Sequence, residues 1–178
     1  MDEDSPPPAT PSETALPLNQ SPAEGREFAR RGAYFLATDR RLLDVAFIHR
    51  FLSEQSYWAA GIPRETVERS IANSLCFGLF HESQQVGFAR IVTDRATFAW
   101  LGDVFVIEAH RRDGLGKWMI ESVLKHPDLQ GLRRILLGTR DAHTLYTRFG
   151  FTPLADPSRF LEIHTPNVYG STLTKRLD

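Results

Sequence analysis

At 178 residues with 42% hydrophobic content, the chain is long enough for one well-buried globular domain and too short for two comfortable ones. Its 21 basic and 22 acidic residues leave a formal net charge of -1, which argues against bulk binding to nucleic acid or to an anionic membrane. No stretch approaches the roughly eighteen apolar residues of a membrane span, and the first residues lack a basic segment followed by an apolar one, so a soluble cytoplasmic protein is expected.

Proline, serine, threonine and acidic residues dominate up to about Gly25, with few large apolar side chains to offset the entropy of ordering. Residues 1–27 are therefore expected to form a disordered, proline-rich acidic arm and residues 28–178 a single domain. The arm matches no recognition pattern beyond loose proline spacing, which favours a solubilising tail over a partner-binding one.

Within the domain, AYFLAT reads as a strand, and Asp39 is placed to cap a helix in which Leu43, Phe47 and Phe51 recur every four residues. Pro63 suits the first turn of a second helix, with Val67 and Ile71 one turn apart. LCFGLFHE and QQVGFARIVTD then predict an antiparallel hairpin. The single cysteine, Cys76, lies in the first of these runs. It cannot form an internal disulfide, suits a reducing compartment, and is expected in the core. TFAWLGDVFVI predicts a long central strand covered on both faces.

Gly114 and Gly116 fall where that strand turns into a helix expected to bury Leu115, Trp118, Met119, Val123 and Leu124 and to end at Pro127. RRILLGT predicts the next strand, DAHTLYTRFG a short helix with Gly150 at its C-cap, and FTPL a last strand. The order is strand, two helices, three strands, helix, strand, helix, strand. It predicts a mixed α/β architecture with helices on both faces of one sheet.

The paired glycines carry a chemical reading beside the structural one. Glycine lets the main chain approach a ligand closely, and the unpaired amides that open a helix sit at the positive end of its dipole, which makes a phosphate site. A bare G-x-G serves equally well as a tight strand-to-helix turn. No G-x-x-x-x-G-K-[ST] loop is present, and the dinucleotide fingerprint is incomplete because Met119 occupies its third glycine position. About thirty residues and one strand later, LYTRFGF sets Tyr146 four residues before Gly150 and Phe151.

Taken together, V-x-x-x-x-R-x-x-G-x-G at Val106 to Gly116 and A-x-x-L-Y-x-x-x-G-F at Ala142 to Phe151 resemble the GNAT (Gcn5-related) N-acetyltransferase superfamily. In element order the resemblance covers about Tyr34 to Leu154; the sharp motifs cover Asp103 to Phe151. It implies an α/β (α+β) fold with a mixed, mostly antiparallel sheet. It also implies acetyl-coenzyme A as donor, a primary amine of a small molecule or peptide as acceptor, and no metal. The resemblance puts the main chain of Val104, Phe105 and Val106 beside the pantetheine arm. It wraps the loop of Arg111, Arg112, Asp113, Gly114, Leu115, Gly116 and Lys117 around the diphosphate, with Arg111 and Lys117 adding positive charge. It assigns the thioester carbonyl to the N–H of Val106 as a one-donor oxyanion site, and the proton for the departing thiolate to Tyr146.

Three positions depart from the family pattern. Asp113 brings a carboxylate into the diphosphate loop, Glu108 and Ala109 stand where a proline is usual, and Thr139 lies where an asparagine often contacts the pantetheine arm. The general base stays open. Asp103 is a carboxylate inside an otherwise apolar strand, costly without a partner or a task, and acidic residues near this place act as base or water-holder in some relatives. Glu108, His143 and water alone are the alternatives. For the acceptor, Tyr57 and Trp58 in SEQSYWAAGIP either plug the core or wall an amine pocket, and Arg90 either meets an acceptor carboxylate or makes a buried ion pair. The tail EIHTPNVYG is a candidate for closing the pocket from the other side. Two further classes of protein fit the same elements: a catalytically silent acyl-CoA-binding regulatory module, and an interaction platform whose functional part is the arm. Tyr146 and Asp103 favour turnover. A homodimer is left open.

Overall fold

The computed structural model describes residues 27–111 and 114–170. The expected arm, up to residue 26, lies outside the described residues, as do Arg112, Asp113 and residues 171–178. The chain enters the fold through a short hairpin. Strand β1 (Ala29–Arg31) pairs antiparallel with β2 (Tyr34–Ala37) across Gly32, whose φ of +60° lies in the left-handed region that glycine tolerates. Ala-Arg-Arg has no apolar alternation of its own, so β1 exists because β2 offers it an edge.

Asp39 does not cap the first helix. Its carboxylate accepts from the Arg41 N–H at 3.0 Å and opens a 3-10 turn over Arg40–Leu42. Helix α1 (Val45–Glu54) starts five residues later at Asp44, whose carboxylate accepts from the Phe47 N–H at 2.9 Å. Leu43 thus precedes the helix, and the buried side is Ile48, Phe51 and Leu52. Helix α2 (Arg64–Ala72) follows Pro63 and buries Val67 and Ile71.

Strands β3 (Leu75–His81) and β4 (Gln84–Thr93) form the expected hairpin. Then come β5 (Phe98–Val106), α3 (Leu115–Leu124), β6 (Arg134–Leu137) and α4 (His143–Tyr146). The six strands lie in sequence order in one sheet, antiparallel throughout except for the last pair, β5 with β6, which is parallel. Leu75, Phe77 and Leu79 alternate onto the face covered by Met119, Ile120 and Val123 of α3; Cys76, Phe88 and Phe105 face Ile48, Leu52, Val67 and Ile71 of α1 and α2. The sheet is therefore mixed and mostly antiparallel, with helices on both faces. Burial pushes the Cys76 thiol up to about 12, which makes it an inert core residue.

Two further expectations fail. Among the described residues Phe151–Leu154 forms no ladder, because Pro153 removes one of its few donors and no described strand is bonded to it. β5 is also not covered on both faces along its whole length. Ala99 and Leu101 face α3, whereas Phe98 and Trp100 point to the side that α1 and α2 leave open, and Trp100 is 41% exposed.

His126, between α3 and β6, is wholly buried against the rings of Phe28 and Phe77 at 5.1 and 5.4 Å. Its Nδ1 accepts from the Asp128 N–H at 3.2 Å, and its Nε2 meets no partner among the described residues. Desolvation holds this imidazole below its ordinary value of 6.5. The folded state resists the proton that the unfolded chain accepts, so stability is complete above that value and falls as the pH drops through it towards the folded pKa. His126→Asn keeps an acceptor for the Asp128 N–H and does not titrate. Urea unfolding across the pH range just below neutrality should show the variant less stable overall, with a shallower loss of stability on acidification than the parent.

Candidate active site

The site begins where one ladder stops. β5 and β6 pair in parallel from Phe98 with Arg134 to Leu101 with Leu137, and beyond that pair β5 continues to Val106 without β6 beside it. On its other edge β5 carries a bulge. Phe105 pairs with Phe88 and Gly102 with Arg90, so Asp103 and Val104 together oppose Ala89. Asp103 takes up the irregularity with a φ of +52°.

After the bulge, the ladder tells which way the amides point. The Ile107 N–H donates to the Val86 carbonyl at 2.9 Å, so this pair exchanges its bonds on the β4 side. Antiparallel alternation then turns the N–H and C=O of Val106, registered with Gly87, to the opposite edge, which β6 has vacated. There the Val106 carbonyl accepts from Arg111 Nε at 2.9 Å. Arg111 thereby ties the start of the loop back to the strand. Phe105, by the same alternation, spends its main chain on Phe88 and its ring on Phe51, stacked at 3.7 Å.

Gly114 caps α3 with a φ of +70°, and Gly116 sits in the first turn, where an added Cβ would meet nothing within 4 Å. Leu115 is buried beneath them and Lys117 is exposed. Arg112 and Asp113 lie outside the described residues.

A cavity of about 390 Å³ opens beside the splayed strands, walled by Tyr57, Trp58, Trp100, Asp103, Arg140 and Tyr146. Val104, Arg90 and Thr139 also border it. The Asp103 carboxylate is held on both oxygens, by Arg90 Nε at 2.6 Å and by Trp58 Nε1 at 3.2 Å. Arg90 therefore does make the ion pair that burial demanded, and its second contact is the Ser74 hydroxyl at 3.2 Å. Tyr57 accepts the Arg140 N–H at 3.0 Å and lies under the Arg140 guanidinium at 3.8 Å from its ring centre. The connection between α1 and α2 thus reaches both banks of the cleft. Trp100 and Arg140 belong to this wall although neither stood out in the sequence; the alternation of apolar and exposed residues along β5 was the only signal for Trp100.

Tyr146 ends α4, 8% exposed, with Phe151 packed edge-on against its ring at 5.8 Å. Gly150, at φ +85°, turns the chain so that this contact closes. Desolvation first, then the neighbouring Tyr57 and Asp141, push the phenol up to about 12. The hydroxyl of Thr139 accepts from the Ala142 N–H at 3.1 Å and so starts the turn into α4. Glu108 is exposed in the 3-10 turn after β5. His143 is exposed on α4, bordering a different cavity from Asp103. Neither lies on the wall that holds Asp103. Among the described residues no group of acidic, histidine and cysteine side chains has a metal-binding arrangement, and no helix is long and apolar enough to cross a membrane.

Residues 45–151 match the model of the acetyltransferase (GNAT) family. A curated Gibberella zeae protein, by name a candidate acetyltransferase, is 34% identical over 138 residues, which cover 65% of this chain and 77% of that protein. The crystal structure of a candidate GNAT-family acetyltransferase from Xanthomonas campestris pv. campestris superposes with a TM-score of 0.76 at 50% identity, over 78% of this chain and 97% of that one. A predicted acetyltransferase from Clostridium acetobutylicum, solved with acetyl-CoA, shares the fold at a TM-score of 0.53 and 14% identity, over 74% of this chain and 94% of that one. The chain belongs to the GNAT family of acetyltransferases.

The Arg90–Asp103 pair is mostly buried, with side chains 18% and 13% exposed, so removing one partner strands the other. Arg90→Met should lower stability clearly, and Asp103→Asn in the same chain should recover part of the loss. A double-mutant cycle by chemical unfolding is expected to give a coupling of about 1–2 kcal/mol.

Proposed function

We propose that the protein moves the acetyl group of acetyl-CoA directly onto a primary amine of a small molecule or peptide. The observation that carries this reading is the opening between β5 and β6, where the main-chain edge of Val106 is left free and Val104 and Tyr146 border one cavity. The donor fits the chain on the evidence of Gly114 and Gly116, a helix start whose second glycine looks onto open space. When bound it supplies the activated thioester. Gly114, Leu115, Gly116 and Lys117 hold its diphosphate, with Arg112 and Asp113 in the same loop. Arg111 keeps that loop registered on β5 through the Val106 carbonyl. Val104 and Thr139 flank the pantetheine arm, whereas Phe105, with its main chain bonded to Phe88 and its ring on Phe51, turns away from it.

Transfer is direct because the one thiol, Cys76, is buried in the core with its proton held firmly. The Val106 N–H stabilises the charge that gathers on the thioester oxygen. Tyr146 carries the proton for the departing thiolate. A phenol raised to about 12 stays protonated at any working pH, and a hydrogen bond suffices for it to share that proton as the thiolate forms. Asp103, fixed by Arg90 and Trp58, retains free lone pairs for the acceptor ammonium and prepares the amine. That each of its oxygens already accepts one bond favours a second reading, in which Asp103 only holds the wall and water takes the proton. Around the cavity Arg90 and Arg140 are matched by Asp103 and Asp141, so the aromatic walls of Tyr57, Trp58 and Trp100 do more than net charge to select the acceptor.

Two measurements test this reading. Gly116→Val adds bulk where the fold has room, so the variant should melt like the parent yet bind acetyl-CoA at least about tenfold more weakly. Unchanged affinity in a folded Gly116→Val protein would remove the loop from the site. For the chemistry, an amine panel followed by thiol release should find turnover, and Tyr146→Phe should lower it by a factor of about 10² to 10⁴ with cofactor affinity little altered. The parent rate should climb with pH and then level off, with no descending limb from Tyr146 below about pH 11. If Asp103 prepares the amine, Asp103→Asn shifts the rising limb; a rising limb that stays put assigns that proton to water.

A further inference from the structure

Three aromatic side chains wall the acceptor cavity, and two of them are tied to the scaffold. Tyr57 accepts the Arg140 N–H and lies under the Arg140 guanidinium, and Trp58 donates to Asp103. Trp100 is the third. It pairs with Val92 across β4 and β5, on the face that α1 and α2 leave open, and its indole reaches from β5 to the chain just after β6. A Cβ on Gly102 would stand 3.2 Å from its Nε1, and one on Gly138 would stand 3.5 Å from its Cη2. Neither glycine has the positive φ that demands its type, so each serves by the side chain it lacks.

A ring laid over a glycine shields the strand beneath it, and a packed ring would meet that need. This one stays 41% exposed, and it borders the cavity together with Asp103, Val104 and Tyr146. Val92 and Phe98 are exposed on the same face, yet neither borders the cavity. Charge favours the same kind of ligand. Both carboxylates on the wall have a guanidinium within reach, Asp103 that of Arg90 at 2.6 Å and Asp141 that of Arg140 at 3.9 Å. A second ammonium on the acceptor would meet matched acids and two cations, whereas a ring would meet apolar aromatic surface.

We propose that the acceptor is a primary amine carrying an aromatic ring on a short chain, with the ring on Trp100 and the amine turned towards Asp103 and Tyr146. The chain is short because Asp103 directly follows Gly102, beside which the indole lies. Trp100 is then the residue that determines which amine is taken. The inference rests on the acetyl-transfer reading for the role of the amine, and the ring site itself is open to test without turnover.

Calorimetric titration of phenethylamine into the full chain saturated with coenzyme A should give an affinity about tenfold above that of hexylamine, an aliphatic amine of similar length. Spermidine should bind no better than hexylamine. Trp100→Ala trims a half-exposed side chain, so the variant should keep the parent's circular dichroism and its affinity for acetyl-CoA while phenethylamine falls to the level of hexylamine. Trp100→Phe should retain part of the preference. Gly102→Val puts side-chain carbon against the indole and should weaken the preference with Trp100 still present. A parent with no preference for the ring, or a preference that survives Trp100→Ala, overturns the inference. An aromatic amine that binds as expected while acetyl-CoA releases no thiol overturns the acetyl-transfer reading instead and leaves the ring site standing.

Discussion

The end of the β5–β6 ladder at Leu101 and Leu137 is the constraint on which the rest of the site depends. A parallel ladder that ran on to Val106 would consume the very main-chain groups that now face the opening. The bulge at Asp103 and Val104 lets β5 stay bonded to β4 while it turns away from β6. That departure has a cost. A non-glycine residue in the left-handed region is strained by about 1–3 kcal/mol, and here it is an aspartate, among the residues that tolerate the conformation best. Arg90 and Trp58 grip its carboxylate from two directions, so the ion pair and the bulge sustain one another.

The wall opposite is built without a conventional core. Trp58 ties the α1–α2 connection to β5, and Tyr57 ties it to the chain after β6 through both the Arg140 N–H and its guanidinium. These aromatic residues remain over two-fifths exposed, which a packing role alone would not leave. Their polar edges are spent on the scaffold, Tyr57 gives one face to the Arg140 guanidinium, and the surface that stays exposed is open to a ligand. The arrangement is rigid at its anchor points and apolar where an acceptor would lie, as a specificity wall requires.

Much of this was legible in the sequence, and the residues that were not share a reason. Gly114, Gly150 and Tyr146 could be read because their roles are set by local geometry: a positive φ at a helix end, and a fixed spacing that brings Phe151 onto Tyr146. The β3–β4 hairpin followed from alternation alone. Asp39 was read as the cap that Asp44 provides, because the 3-10 turn between them leaves no mark in the sequence. The pairing of Arg90 with Asp103 depends on register across a bulge, and the Arg140 contact joins residues 83 positions apart. Neither leaves a periodic trace. β1 was invisible because its pairing belongs to β2, and FTPL misled because the composition of a strand does not guarantee a neighbour to bond.

That missing neighbour bears on Tyr146. Its phenol keeps its proton because it is desolvated, and the residue borders both the cavity beside Asp103 and one of about 400 Å³ beside β6. Phe151 shields one edge of the ring, yet Phe151 itself belongs to the segment that no strand secures. Water entering there would reach Tyr146 from behind and raise the dielectric around its hydroxyl. A strand bonded to β6 on that edge would fix Phe151 and dry that flank of Tyr146, so the completeness of the sheet and the protonation of Tyr146 are one physical question.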